Sequence, residues 1–346
     1  MHSQIRQSLR TIIENEFEDG QRFYTERELV KQLGAALLTV RRALGDLVAE
    51  GLLERSVGRG SFVRKGGALK SIGVFVPDYS SSVFIQFLEE LSGVARTARA
   101  RLNVYHTHQG ESVAEALSQM KSTPQEEAVM LVGNMNEVNL HLHAHLLERG
   151  FRVALVNNFI PGLPVASIGM NDGQAIAAGF EHLMALGHTR ILFLVSEPLE
   201  GAGVRQKHDA AVAYMKAKRL RAARVLICGT APFEDSYAAA CRRMPEIWAA
   251  ADRPTAIFAV SDAGALGVLR YAYEQRVAVP RELSVLAINN SPAGRFANPA
   301  LTSVALPLKK IAEKAVQLLS RNELSPRAHL FPGELIERES TGPAPR

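Results

Sequence analysis

The sequence runs to 346 residues, 47% hydrophobic and 22% charged, a balance that excludes a disordered or fibrous chain and predicts two or three globular units. Forty Lys and Arg against 35 Asp and Glu leave a formal charge of +5, which permits a polyanionic partner without requiring one. Two cysteines, Cys228 and Cys241, exclude a disulfide framework. No apolar run approaches the roughly 18 residues that cross a bilayer, and Met1–Phe17 has no secretory h-region, so the expectation is a cytoplasmic protein with no membrane contact.

Charge is unevenly placed near the N-terminus. Residues 1–35 carry five basic and six acidic side chains, whereas residues 36–66 carry six and three. Positive charge gathered in the second half of a small domain suits a polyanion-binding face, and an ordinary solvated surface gives the same count.

Ile5, Leu9, Ile12 and Ile13 fall at i, i+4, i+7 and i+8, one apolar stripe on a first helix. Thr25-Glu26-Arg27-Glu28 is a capping box that opens a short second helix through Leu29, Val30 and Leu33, which Gly34 ends. A third helix carries Val40, Leu44, Leu47 and Val48 on one face, and two short helices joined by so tight a turn predict a helix-turn-helix. Leu52-Leu53 and Ser61-Phe62-Val63 then flank Val57-Gly58-Arg59-Gly60, a hairpin with an arginine at its tip.

These residues, with Thr39-Val40-Arg41-Arg42-Ala43-Leu44 and Glu50-Gly51-Leu52, resemble the winged helix-turn-helix DNA-binding domain of the GntR family of bacterial transcription regulators. The resemblance covers residues 1–65 and implies contact with double-stranded operator DNA through Thr25, Arg27, Thr39, Arg41 and Arg42, with Arg59 and Gly60 of the wing at the minor groove. Arg41, in the first turns of the recognition helix, could pair bidentately with a guanine edge. One departure stands out: Ala36 and Leu37 occupy the places where family members usually carry a Ser-Arg pair, so an unusual operator or a reduced affinity is expected.

Residues 66–70 read as a short charged, glycine-bearing linker. From Ile72 onward apolar runs alternate with helical patterns: Ile72–Val76, Leu102–Tyr105, Ala128–Val132, Val153–Val156, Arg190–Val195, Arg224–Cys228, Ala256–Val260 and Ser284–Ile288. Such alternation predicts an α/β body over residues 71–340 with parallel sheets, and eight strands fit two Rossmann-like lobes, divided near Phe159–Pro164 where proline and glycine cluster.

Ile72-Gly73-Val74-Phe75-Val76-Pro77-Asp78, Leu186-Gly187-His188, Ser261-Asp262, Val279-Pro280-Arg281-Glu282-Leu283 and Pro299-Ala300-Leu301-Thr302 resemble the periplasmic-binding-protein-like effector domain of the lactose/galactose-repressor family. Joined to a GntR-type head, this is similar to the arabinose-repressor branch. The resemblance implies a small-molecule effector, a sugar by class, in the cleft between lobes, touched by Asp78, Ser80, Phe84, Asn134, Asn157, Asp172, Arg205, Asp262 and Asn289. It also implies a homodimer, no cofactor, no metal and no catalytic residue. Asp172 could equally be a helix N-cap, and Asn289 could serve only the backbone at a strand end. His208 stands in place of a glycine usual three residues after the cleft arginine, Asn289-Asn290 in place of an acidic pair, and Ala231 in place of an aromatic, with Phe233 the nearest ring.

Catalytic motifs fail on spacing. Gly201-Ala202-Gly203 is followed by Gln206 where a dinucleotide fingerprint needs glycine, and His141 and His145 have no carboxylate or cysteine at ligand spacing. The expectation is a ligand-responsive repressor rather than an enzyme. Two alternatives stay open: the same class answering to a purine or other metabolite, and a sugar-binding or sugar-processing protein with a vestigial head.

Overall fold

The computed structural model describes residues 2–18, 20–49, 52–56, 58–63, 69–77, 82–107, 112–120, 128–133, 137–157, 163–231, 234–321 and 324–345. Its head comprises α1 (His2–Glu16), α2 (Glu26–Leu33), α3 (Leu37–Ala49) and an antiparallel hairpin of β1 (Leu53–Ser56) with β2 (Gly60–Val63). The capping box forms as the sequence predicts. Glu28 N–H donates to Thr25 Oγ1 at 3.3 Å, and Thr25 N–H donates to Glu28 Oε2 at 2.7 Å. Gly34 sits at φ +58°, the left-handed conformation that turns α2 sharply into α3. Leu9, Ile13, Leu29, Val40, Leu44, Leu47 and Val63 then close one small core. Thr25→Ala should lower the stability of the head by about 1 kcal/mol, read as an earlier urea transition of the far-ultraviolet helix signal.

The body holds two lobes, each a six-stranded sheet between helices. The first is built from β3 (Ser71–Pro77), α4 (Ser82–Thr97), β4 (Arg101–Thr107), α5 (Val113–Gln119), β5 (Ala128–Val132), α6 (Glu137–Glu148), β6 (Arg152–Val156) and β7 (Ala166–Met170). The second continues through α7 (Asp172–Ala185), β8 (Ile191–Val195), α8 (Ala202–Ala217), β9 (Arg224–Ile227), α9 (Ser236–Ala249), β10 (Ala256–Ala259), α10 (Asp262–Glu274), β11 (Ser284–Asn289), α11 (Pro292–Arg295) and β12 (Thr302–Ala305). The chain returns to the first lobe as α12 (Leu308–Arg321) and β13 (Ala328–Phe331), and ends in the second with β14 (Glu334–Ile336).

Strand order is β13-β7-β6-β5-β3-β4 in one sheet and β14-β12-β11-β10-β8-β9 in the other, parallel throughout except for β14 on β12. Ala128–Val132 and Ile191–Val195 are buried along their whole length, as strands covered on both faces must be. Order reverses between β3 and β5 in the first lobe and between β8 and β10 in the second. Those reversals open crevices at the carboxyl ends of the strands, where open α/β sheets take ligands.

The expected division near Phe159–Pro164 is corrected. β7 pairs with β6 and β13 inside the first lobe, so the crossing falls at Asn171, between β7 and α7. Two further crossings, β12 to α12 and β13 to β14, stitch the lobes, and Ile311, Ala312, Ala315 and Leu319 of α12 complete the first lobe's core. The eight predicted strands are all present. Strands β7, β12, β13 and β14 are additional: Ala166–Met170 and Thr302–Ala305 are interrupted by Ser, Thr or Gly and present no apolar run to read.

His188 ties the end of the chain to the second lobe. Its Nδ1 lies 2.9 Å from Thr255 Oγ1, and its Nε2 lies 3.0 Å from both Ser284 Oγ and the Gly342 carbonyl. Burial holds its pKa below the usual 6.5 against the pull of that carbonyl, and burial does the same to His182. The folded state therefore keeps both rings neutral while the unfolded chain takes up protons near 6.5. Stability contributed here is full above that value and declines as pH falls below it. Melting temperature should drop between pH 7.5 and 5.5, and His188→Gln should shrink the drop.

Candidate functional site: DNA face and effector cleft

On α3 the buried face is Val40, Ala43, Leu44 and Leu47, so the 100° step per residue puts Leu38, Arg41, Arg42 and Gly45 on the opposite face. Arg41 is held there: its Nε and Nη2 donate to Glu26 Oε2 at 3.0 and 2.9 Å, and Arg55 Nη2 reaches Glu26 Oε1 at 3.4 Å. The hydrogen bond from Arg41 keeps the Glu26 carboxyl below its usual pKa. Glu26, which the sequence shows only as part of a capping box, is thus the residue that aims Arg41.

Arg27 and Arg42 are exposed, Thr39 is half-buried in the first turn of α3, and Arg59 is exposed at the wing tip. Gly60 sits at φ +108°, with the Arg22 guanidinium 3.3 Å from where a Cβ would stand, so only glycine fits. Thr25 has its hydroxyl on Glu28 Oε2 at 2.9 Å and serves the cap. Leu37 and Leu38 are 45% and 77% exposed.

In the body, Asp78, Ser80 and Asn134 lie outside the described residues, as does Phe233. Asn157 ends β6 in a left-handed turn at φ +53°, and both its side-chain polar atoms are buried with no hydrogen-bond partner. It lines a cavity of about 40 Å³ together with Ser167, Asp172, Gln206, Lys207 and Leu330, so both lobes contribute to the walls. That volume is about one water's share of the liquid, and a sugar enters only if the lobes part.

Asp172 is the first residue of α7, but the cap is Asn171, whose Oδ1 accepts from Gln174 N–H at 3.1 Å. The Asp172 carboxylate instead faces Lys207 Nζ at 3.5 Å. Lys207 also donates to the Gly203 carbonyl at 3.4 Å. Beside them Glu197 and Ser196 follow β8, at the reversal of strand order. Burial pushes the Glu197 carboxyl up, opposed by a hydrogen bond from Ser261 and by the charge of Lys207. The Ser196 hydroxyl is buried and has no partner.

Three of the expected contacts do not line this cavity. Arg205 is exposed on α8, and the 200° between it and Lys207 turns it away from the wall that Lys207 lines. Phe84 keeps 9% of its surface and packs in the first lobe's core, its ring filling the space a Cβ on Gly133 would need, so it offers no open face to a sugar. Asp262 is buried, yet both oxygens are taken: Ser303 Oγ donates to Oδ1 at 2.6 Å, and Ser291 N–H donates to Oδ2. Burial raises its pKa, and these bonds from Ser303 and Ser291 oppose the rise. It clamps β12 and α11 to α10. Asn289 ends β11 at φ +122°, paired with Ala305, and the neighbouring Asn290 accepts from Arg338 Nη2 at 2.5 Å.

The description of bacterial regulatory proteins of the gntR family matches residues 2–63, and that of a periplasmic binding protein-like domain matches residues 180–341. The first match falls on the head, and the second runs from within α7 to the last strands of the body. One relative, the HTH-type transcriptional regulator reg1 of Streptomyces lividans, is 27% identical over 288 residues that cover 79% of this chain and 81% of its own. The arabinose metabolism transcriptional repressor of Geobacillus stearothermophilus is 23% identical and covers 95% of this chain and 94% of its own. A LacI family transcriptional regulator from Weissella paramesenteroides, crystallised with bound sucrose, shares the fold at a TM-score of 0.69 and 19% identity, over 79% of this chain and 99% of that one.

Among the described residues no group of three or more His, Cys, Asp or Glu is placed to hold a metal ion, and no helix is long and apolar enough to cross a membrane. Burial pushes the Cys228 thiol up to about 11, so it stays protonated and a poor nucleophile at neutral pH.

Proposed function

We propose that the protein is a cytoplasmic transcriptional regulator, a repressor by sign and not an enzyme, that binds operator DNA as a homodimer. A sugar-class effector held between the two lobes controls its affinity. The observation that carries this reading is the union in one chain of an exposed arginine-bearing recognition helix with a two-lobed body. Each lobe of that body reverses strand order at the mouth of the cleft. In the head, Arg27, Thr39, Arg41 and Arg42 meet the major groove, and Arg59 and Gly60 meet the minor groove. In the cleft, Asn157, Asp172 and Lys207 take the effector, with Glu197 and Ser196 beside them. Hydroxyls suit this set, because each polyol hydroxyl donates to a carboxylate or amide oxygen and accepts from an ammonium or amide N–H.

Effector binding changes the angle between lobes and re-spaces the two heads, whose separation must match the half-site spacing of an operator. The test is selection of duplexes from a random pool by the full-length protein, followed by fluorescence anisotropy on the selected site with and without a panel of pentoses, hexoses, disaccharides and purines. Recovery of a palindromic site released by a sugar is the expected result. Recovery of no site refutes the reading, and release by a purine alone refutes the sugar class.

A further inference from the structure

Leu37 and Leu38 are the only large apolar side chains of the head that stand exposed among the described residues. Apart from Phe62, which is half-buried on the wing, the other large apolar side chains described there are buried in the head's core or packed at least partly against it. Leu38, at 77% exposure, lies centrally on the outer face of α3, with Arg41 and Arg42 one turn further along. An apolar knob with guanidinium groups beside it fits a partner that presents an apolar island inside an anionic frame. In the DNA major groove that island is the C5-methyl group of thymine, framed by phosphates. Guanine, adenine and cytosine edges offer hydrogen-bonding groups that leucine cannot meet.

We propose that Leu38, supported by Leu37, reads thymine methyl groups. The operator half-site then carries thymine opposite the start of α3, next to the base contacted by Arg41. The charge of residues 36–66, six basic against three acidic, favours DNA over a protein surface as the occupant. The pair also substitutes for polar contacts. With Ala36 and Leu37 in the turn, affinity at this point comes from burying methyl groups and not from phosphate neutralisation, so discrimination among pyrimidines replaces salt-dependent attraction.

This inference rests on the regulator reading, and its test separates the two. The full-length protein selects its site from random duplexes, and each thymine of that site is replaced in turn by uracil, which removes the methyl group alone. Anisotropy on wild type should show a loss of roughly threefold to fivefold at one or two thymines, the worth of one buried methyl each. Leu38→Ala should bind the original site more weakly by a similar factor and should no longer distinguish thymine from uracil there, while Leu37→Ala retains part of the difference. A specific site whose thymines can all become uracil without loss overturns the methyl reading and leaves the regulator standing. Failure to select any specific site overturns both. If Leu38→Ala instead changes the sedimentation coefficient of the DNA-free protein, with uracil insensitivity in wild type, the face belongs to a protein contact and the proposal falls.

Discussion

Arg41→Ala should bind the selected operator roughly 5- to 150-fold more weakly than wild type, the range for losing one bidentate base contact of about 1–3 kcal/mol. The loss should be concentrated at one base pair: replacing that pair should weaken wild type and leave the variant nearly unaffected. Geometry makes this sharper than for an ordinary surface arginine. Glu26 already holds Nε and Nη2 at 3.0 and 2.9 Å, so the guanidinium is fixed before DNA arrives and presents Nη1 and its outer N–H groups in one orientation. Less side-chain entropy is then lost on binding. Glu26→Gln should therefore weaken operator binding in the same direction but by a smaller factor, although it removes a negative charge from a DNA-facing surface and simple electrostatics predicts the reverse. Arg59→Ala should weaken all duplexes about equally, as loss of a phosphate or minor-groove contact does. Equal operator affinity for wild type and Arg41→Ala would remove α3 from the major groove.

How much of this was legible in the amino-acid sequence depends on how local each signal is. The head was almost fully legible, because Thr25, Glu28, Gly34 and the Val40–Leu47 face are contacts within a few residues or one helical turn. The eight predicted strands were legible as mostly apolar runs that alternate with helical patterns. Strands β7, β12, β13 and β14 were not, since pairing partners distant in sequence define them: Ser303 with Ile336, Leu330 with Gly169. In the cleft, residue type alone does not say which side chains share one wall. Arg205 offered the guanidinium that the resemblance called for, whereas the helical period turns Lys207 toward Asp172. Asp262 sits at the right end of the right strand, and only the positions of Ser291 and Ser303 reveal that its oxygens are occupied. Glu26 was hidden for a different reason: its partner Arg41 is 15 residues away, across the turn between two helices.

Lys207→Met should lower effector affinity by about 10- to 150-fold while leaving effector-free operator binding within about twofold of wild type. Methionine keeps most of the stem's bulk and removes the ammonium, which in the cleft can offer a ligand hydroxyl a charge-assisted hydrogen bond typically worth about 1.5–3 kcal/mol. A second cost follows from the partner left behind. Asp172 faces Lys207 at 3.5 Å, and Glu197 is held down by the same charge against the push of burial. Without the cation, burial pushes the Glu197 carboxyl up further, so in the variant it turns neutral at a higher pH than in wild type. Arg205→Ala is the control: exposed and turned away on the same helix, it should change effector affinity by less than about twofold, a difference under roughly 0.4 kcal/mol. The competing account is that Lys207 only ties α7 to α8 within the second lobe. Under that account Lys207→Met loses melting temperature, titration calorimetry on the folded protein gives the wild-type effector constant, and Asp172→Asn restores the lost stability. Calorimetry on the two variants decides between them, because only a cation that touches the effector makes Lys207→Met weak and Arg205→Ala normal in the same experiment.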